Sequence, residues 1–411
     1  MAEGVGPSYE KAGVSIERAG RAAEMMRVAV EGTHGSEVLP YSGGFAGLFS
    51  LSSSYADPVL ASSIDGVGTK VLVAKELGRY GSIGMDIVNH CANDVLATGA
   101  KPLLFLDYVA SGRLNPGYVA EVVRGAAEAC RSLGIALVGG ETAEMPGLYG
   151  EGDFDVVGVC VGACERGEVV TGEGVEVGDA VIGLPSSGLH TNGYTLARMI
   201  LEDAGISYEE TPEGFERAIG EEYLVPHRAY VRGVLTLREA VEVRGMAHIT
   251  GGGLPGNLPR ALGGLGARLY PSTWEETRVF GFIRAVGGIA EEEMRGVFNL
   301  GVGFCVVVPS GESERALEVL RGAGCDARRV GEVVAEPGVE FVTCTAARRI
   351  AFCCARLWVG DKPAGTSGRL PAGARGGGRR QGGGVCVRAG AAGRGAGRVR
   401  GPARLCVAEG V

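Results

Sequence analysis

The chain has 411 residues, 45% of them hydrophobic and 21% charged, with a formal net charge of −8. That composition suits a globular protein with room for two or three domains, and no run of 18 apolar residues is present to cross a membrane. From Thr345 onward there are 13 Lys and Arg against 2 Asp and Glu, leaving 27 basic and 46 acidic residues before it. An acidic body of this kind argues against a general nucleic-acid binder.

The start of the chain has no basic region followed by an apolar stretch, so no signal peptide is expected. The 11 cysteines form no C-x-x-C pair. Cys91, Cys130, Cys160, Cys164 and Cys305 lie in apolar stretches and are read as buried thiols of a cytoplasmic protein.

In chain order, 58–64 reads as a strand entering an acidic, glycine-bearing loop, and 82–98 as a helix. Along that helix Asp86, Asn89, His90, Asn93 and Asp94 line one polar stripe. Residues 103–109 read as a strand, and 115–133 as a helix opened by Asn115-Pro116. The segment 135–138 is a strand ending in Gly-Gly, and 155–162 a continuous apolar strand. A turn-rich connection over 172–179 leads to a second α/β unit. It contains strands at 180–184, 246–250, 303–308 and 327–334 and helices at 194–203, 226–239 and 312–323. The boundary is placed near residue 170, giving units 1–170 and 171–342. The remainder, 343–411, is expected to be a disordered or artefactual extension: its stretch 369–400 is almost entirely Gly, Arg, Ala and Val, without helical or strand period. It lacks the aromatic interleaving of an RNA-binding arm.

Three segments carry the chemistry: Ser63-Ile-Asp-Gly-Val-Gly-Thr-Lys70, Asn93-Asp-Val-Leu-Ala-Thr-Gly-Ala-Lys-Pro102 and Gly139-Gly-Glu-Thr-Ala-Glu-Met-Pro146. Each sets a carboxylate (Asp65, Asp94, Glu141) among glycines at the end of a strand or helix. Hard oxygen ligands suit Mg²⁺, and glycine amides with a lysine suit phosphates, so together they predict a Mg·ATP site. The chain contains no G-x-x-x-x-G-K-[ST], so the site is not a P-loop. In the second unit Ser186-Ser-Gly-Leu-His-Thr-Asn-Gly-Tyr194 joins a strand to a helix and offers hydroxyl, amide, imidazole and backbone donors for a ribose phosphate. Gly251 to Gly256 match G-x-G-x-x-G, but Pro255 interrupts the turn and no acid follows on a second strand. The segment is therefore read as an anion-binding glycine turn rather than a dinucleotide site. Phe298-Asn-Leu-Gly-Val-Gly303 brings Asn299 toward the same cleft.

These segments, with Ser8-Tyr-Glu-Lys-Ala-Gly-Val14, Gly43-Gly-Phe45, Phe105-Leu-Asp-Tyr108 and His248-Ile-Thr-Gly-Gly-Gly253, resemble the phosphoribosylformylglycinamidine cyclo-ligase family over about residues 8–335. The resemblance implies a two-domain α/β fold. Its N-terminal mixed sheet would pair with a second copy in an intersubunit barrel, making a homodimer. It further implies that formylglycinamidine ribonucleotide and ATP are converted to aminoimidazole ribonucleotide, ADP and phosphate, with no nucleic-acid or membrane partner.

By the same resemblance, Asp65, Asp94 and Glu141 are assigned to Mg²⁺. Lys11, Gly66, Gly68, Thr69, Lys70, Asn93 and Gly140 are assigned to ATP. Ser187, His190, Asn192, Gly251, Gly252, Gly253 and Asn299 are assigned to the substrate. His190 or His248 would move a proton during ring closure, and Lys70 would act on the transferred phosphate. The rival within enzymes is another ATP-dependent phosphoryl-transfer protein of the same fold. A selenophosphate-type reaction would want a reactive cysteine near the start, and none precedes Cys91. A purely regulatory nucleotide-binding module has no need of the acids and lysine together.

Overall fold

The computed structural model describes residues 15–39, 46–51 and 55–342. Lys11, the segments 8–14 and 43–45, and the basic remainder 343–411 lie outside them.

The first half runs α1 (Ile16–Glu31), β1 (Val38–Leu39), β2 (Leu48–Phe49), β3 (Pro58–Gly66), α2 (Lys70–Leu77), α3 (Gly81–Ala97), β4 (Lys101–Ser111), α4 (Pro116–Leu133), β5 (Ala136–Glu144) and β6 (Phe154–Glu165). Four of these strands form a mixed sheet in the order β3-β6-β4-β5, with β4 and β5 parallel and the other pairs antiparallel. α4 begins where sequence chemistry directs it. Asn115 caps the Gly117 amide at 2.8 Å, Pro116 fills the first turn, and Gly134 closes the helix with φ 69°.

β6 alternates buried and half-buried residues along its length. Phe154, Val156, Gly158 and Cys160 face the helices, while Val157, Val159 and Val161 point the other way. On that outer face Leu60 and Ile64 of β3 are 60% and 68% exposed. α3 and α4 cover the inner face. They cross where Gly84 meets the Val122 carbonyl and Gly125 meets the Gly81 carbonyl, and a Cβ at either glycine would overlap that backbone.

The second half runs β7 (Ala180–Pro185), α5 (Tyr194–Ala204), α6 (Ile219–Tyr223), α7 (Val231–Ala240), β8 (Gly245–His248), α8 (Gly253–Asn257), β9 (Gly266–Leu269), α9 (Arg278–Gly287), α10 (Glu291–Val297), β10 (Val302–Val308), α11 (Ser313–Gly322), β11 (Arg328–Val334) and β12 (Gly338–Phe341). Its strands form a six-stranded sheet in the order β12-β9-β11-β7-β10-β8. Only the β12–β9 pair is parallel among its ladders. Every residue of β10 is buried. Both sheets belong to one compact unit, with α3 touching β3, β4 and β6 on one side and β8 and α7 on the other. The chain is thus α/β, as the alternating pattern predicts.

The helix expected over 226–239 starts only at Val231. The preceding loop is held extended by α3 side chains: Asp86 accepts the His227 amide (2.7 Å), Asn89 donates to the His227 carbonyl (2.7 Å), and Asn93 bonds both the Arg228 carbonyl (2.8 Å) and the Tyr230 amide (2.9 Å). Side chains distant in sequence satisfy the loop backbone, so the helix has no need to include it.

The cysteines at 91, 130, 160, 164 and 305 are buried free thiols. Among the described residues no helix is long and apolar enough to cross a membrane.

Candidate active site

The polar stripe of α3 meets the 186–194 loop and the end of β8. His90 Nε2 lies 2.8 Å from Asp65 Oδ2 and 3.6 Å from Asp94 Oδ2. His248 Nδ1 lies 2.8 Å from Asp94 Oδ1, and Ser63 donates to Asp94 Oδ2 at 3.0 Å. The second nitrogen of His90 reaches Thr191 Oγ1 at 2.7 Å, and that of His248 reaches His227 Nε2 at 2.9 Å. Asp65, Asp94, His190 and His248, all named from sequence, therefore surround one cluster. His90, Thr191 and His227 join it without having been assigned roles. His90 was legible as the residue four before Asp94, on the same helical face. His227 and Thr191 carry no local signal, because only the fold brings them in.

His190 is 1% exposed, with φ 64°, and its ring stacks on His227 at 3.9 Å. Its Nε2 accepts the Ser187 amide at 3.1 Å, while Nδ1 is buried without a hydrogen-bond partner. Gly303 on β10 leaves room for this ring, since a Cβ there would strike His190 and the Tyr230 hydroxyl.

Electrostatics divide the cluster. Burial alone would raise the Asp65 and Asp94 carboxyls. The hydrogen bonds and charges of His90 and His248 outweigh it, holding Asp65 below its usual range and Asp94 at about 2. Burial lowers His90, but the surrounding carboxylates outweigh it and keep the imidazole above its ordinary value. Burial lowers His190, His227 and His248; nearby basic groups add to it for His190 and His227, while for His248 it prevails over the opposing pull of Asp94, and all three fall below the usual range. The two acids are charged, His90 favours its proton, and the other three imidazoles are neutral near pH 7.

Four assignments need correction. Lys70 is fully buried, and its ammonium is shared by Asp86 (2.7 Å), the His190 carbonyl (3.1 Å) and the Val225 carbonyl (3.0 Å). With three hydrogens and three acceptors it has none left for a phosphate; instead it fixes the His190 backbone. Asn93 spends both ends of its amide on the 226–230 loop, so it is no nucleotide ligand here. Asn299 likewise donates to the Gly188 carbonyl (2.9 Å) and accepts the Gly301 amide (3.0 Å), shaping the 186–194 loop rather than facing a substrate.

Glu141 parts from the other two acids. In the sheet register it sits beside Tyr108, while Gly140 sits beside Asp107 on the helix-covered face. Successive residues of a strand face opposite ways, so exposed Glu141 stands on the outer face while Asp65 meets α3 on the inner one. It also lies three strands from Asp65, about 14 Å at ordinary strand spacing. The predicted magnesium triad is therefore not assembled within the chain, and the acids that do meet are flanked by imidazoles, which are poor partners for Mg²⁺. Gly140 makes space for the Asp107 carboxylate, which a Cβ would overlap.

Of the remaining predicted residues, Gly68, Asn192, Gly251 and Gly252 stay accessible, whereas the Ser187 hydroxyl and the buried Gly253 amide are already engaged. Gly66 and Gly68 (φ 56°) form the turn beside Asp65, Gly68 exposed, with Thr69 Oγ1 3.0 Å from Thr195 Oγ1. Half-buried Asn192 places its Oδ1 near Gly251, and Gly252 (φ 90°) carries the chain into buried Gly253, packed on the Arg295 and Phe298 carbonyls. Ser187 donates its hydroxyl to the Pro226 carbonyl at 2.6 Å. A cleft of about 680 Å³ opens on the far side of Pro185 and Ser186, lined by Arg217, Arg278, Trp274 and Arg328. It includes none of the histidines of the cluster.

Residues 46–164 match the AIR synthase related protein N-terminal domain family, and residues 176–343 the corresponding C-terminal domain family. A phosphoribosylformylglycinamidine cyclo-ligase of Gloeobacter violaceus is 47% identical over 334 residues, covering 81% of this chain and 99% of that protein. The chain belongs to the phosphoribosylformylglycinamidine cyclo-ligase family. The fold extends to more distant structures. Thiamine-monophosphate kinase from Stenotrophomonas maltophilia K279a superposes with a TM-score of 0.60 at 15% identity, covering 78% of this chain and 95% of the kinase. The hydrogenase maturation protein HypE in complex with ATP does so with a TM-score of 0.57 at 17% identity, covering 79% of this chain and 91% of that one. At those identities the likeness is one of fold. The family assignment rests on the cyclo-ligase relatives, and it agrees with the resemblance carried by the sequence motifs.

Proposed function

We propose that this protein closes the imidazole ring of purine biosynthesis, converting formylglycinamidine ribonucleotide and ATP into aminoimidazole ribonucleotide, ADP and phosphate. The observation that carries the reading is the match over nearly the whole length of a cyclo-ligase relative. The formyl oxygen is a poor leaving group. ATP phosphorylates it, the amidine nitrogen attacks the activated carbon, and phosphate departs as the ring forms. Such phosphoryl transfer depends on positioning and charge neutralisation.

In this reading ATP arrives as its magnesium complex, and the turn of Gly66 and exposed Gly68 with Thr69 receives its phosphates. Residues 1–170 serve nucleotide binding and dimerisation, and 171–342 supply the substrate side of the cleft. Asn192, Gly251 and Gly252 face the ribonucleotide, while Ser187 and buried Gly253 shape the loops that present them. His190 acts as a hydrogen-bond donor: with Nε2 accepting from Ser187, its neutral ring carries the proton on Nδ1. His248, oriented by Asp94, lines the same site.

The protein works in the cytoplasm as a homodimer, the outer face of its first sheet, which no helix covers among the described residues, closing against a second copy into a barrel. Support for the dimer is the row of outward apolar residues, Leu60, Ile64, Val157, Val159 and Val161.

The test is ADP release by the purified protein with Mg·ATP, with and without formylglycinamidine ribonucleotide, reading aminoimidazole ribonucleotide in the same tube. Substrate-dependent ADP matched by that product is expected. ADP release without it would return the acceptor to the other phosphoryl-transfer enzymes of the fold.

A further inference from the structure

Two groups of side chains in the described residues have metal-ligand spacing: His190 with His227 and His248, and His90 with Asp94 and His248. The first is poorly built for an ion. The His190 and His227 rings stack at 3.9 Å with planes 22° apart, so their in-plane lone pairs run alongside each other, and the Ser187 amide occupies His190 Nε2.

The second is better built. One donor atom each from His90, Asp94 and His248 lies within 4.8 Å of the others, and Asp65 Oδ2 sits 2.8 Å from His90 Nε2. Donors sharing one ion at about 2.1 Å stand about 3–4 Å apart, so shifts of roughly 1 Å suffice. The short His90–Asp65 and His248–Asp94 contacts each hold a proton between two lone pairs, where a cation could take its place. The other nitrogen of each ring is already held, His90 Nδ1 by Thr191 and His248 Nε2 by His227, and Ser63 steadies Asp94. Such outer partners fix the orientation of ligating imidazoles. The two histidine side chains are 4% and 2% exposed while Asp65 and Asp94 are 44% and 32% exposed. The site is therefore walled by nitrogen and open on its carboxylate side, where an ion can enter and keep a position for an exchangeable oxygen.

We propose that His90, His248, Asp94 and Asp65 form a mixed nitrogen–oxygen site for a divalent first-row transition ion. Imidazole favours ions of the cobalt-to-zinc part of that series, whereas Mg²⁺ prefers oxygen alone and gives up water reluctantly. The inference deepens the proposed function, since it concerns two of the acids that the family resemblance assigns to magnesium, and it rests on that reading only for the ion's part in turnover.

The experiment strips the full-length protein with a chelator and titrates Co²⁺ in a large excess of Mg²⁺, reading visible d–d absorption and equilibrium dialysis. Stoichiometric Co²⁺ binding that Mg²⁺ does not displace is expected, weakened about 100-fold or more by His90→Gln and by His248→Gln. Cu²⁺ electron paramagnetic resonance on the unmutated protein is expected to show nitrogen couplings, a readout that needs no variant to fold. Co²⁺ bound no more tightly than Mg²⁺, or a Cu²⁺ spectrum without nitrogen, overturns the site. Ring closure measured on the same preparation separates the two claims. Product formed without a nitrogen-ligated ion defeats the metal site alone, whereas a nitrogen-ligated ion without product defeats the proposed function alone.

Discussion

Lys70 Nζ and Asp86 Oδ2 meet at 2.7 Å with neither side chain exposed, tying the start of α2 to the middle of α3. Burial drives Lys70 below its ordinary value and Asp86 up to about 6, and their mutual attraction opposes both shifts. Removing the lysine leaves a carboxylate in the core. Lys70→Met is expected to cost about 3–5 kcal/mol of stability, with Lys70→Met/Asp86→Leu recovering only part of it, because Asp86 also holds the His227 amide. Calorimetric unfolding measures both. An unchanged midpoint for Lys70→Met together with lost ATP binding would restore the phosphate role.

Asn93 holds the 226–230 loop with both ends of its amide. Asn93→Ala orphans the Tyr230 amide and the Arg228 carbonyl, at a cost of about 1–3 kcal/mol each if water does not replace the bonds. Amide hydrogen exchange at Tyr230 is expected to quicken far more than at β10. Equal quickening across the chain would point to global destabilisation instead.

Asp107 lies on β4 beside Gly140, and burial pushes its carboxyl up to about 7. In the unfolded chain it titrates near about 4. Between those values the folded protein keeps a proton that the unfolded chain has released, so this residue's contribution to stability falls as pH rises through the window. Asp107→Asn is therefore expected to raise the unfolding temperature at pH 8 and to change it little at pH 4. A uniform shift at both would show that the charge is not the cause.

Leu60 and Ile64 project from the edge strand of the first sheet into solvent. If a second copy covers that face, Ile64→Asp buries an unpaired charge at the interface. Sedimentation is expected to show monomers for this variant and dimers for the parent. A monomeric parent would remove the barrel from the reading.

Much of this was legible along the chain. Strands 58–64 and 155–162 and helix 115–133 announce themselves through apolar runs, an Asn-Pro cap and closing glycines, all local devices that act within a few residues. The stripe of Asp86, Asn89, His90, Asn93 and Asp94 follows from helical period alone, and the motifs around Asp65 and His190 pointed to the right family. Tertiary structure decided what each polar group does. Asn93 looked free for a ligand until the 226–230 loop took both its ends. Lys70 looked like a phosphate ligand until Asp86, sixteen residues on, and two carbonyls closed around it. Glu141 shares its sequence setting with Asp65, yet strand alternation turns it to the opposite face of the sheet. His227 gave no signal at all, because its partners, Thr191 and His248, arrive from other elements. Periodicity and capping are short-range and can be read from neighbours. Hydrogen-bond saturation, burial and the convergence of ligands depend on residues brought together across the fold, and in this protein those decide the site.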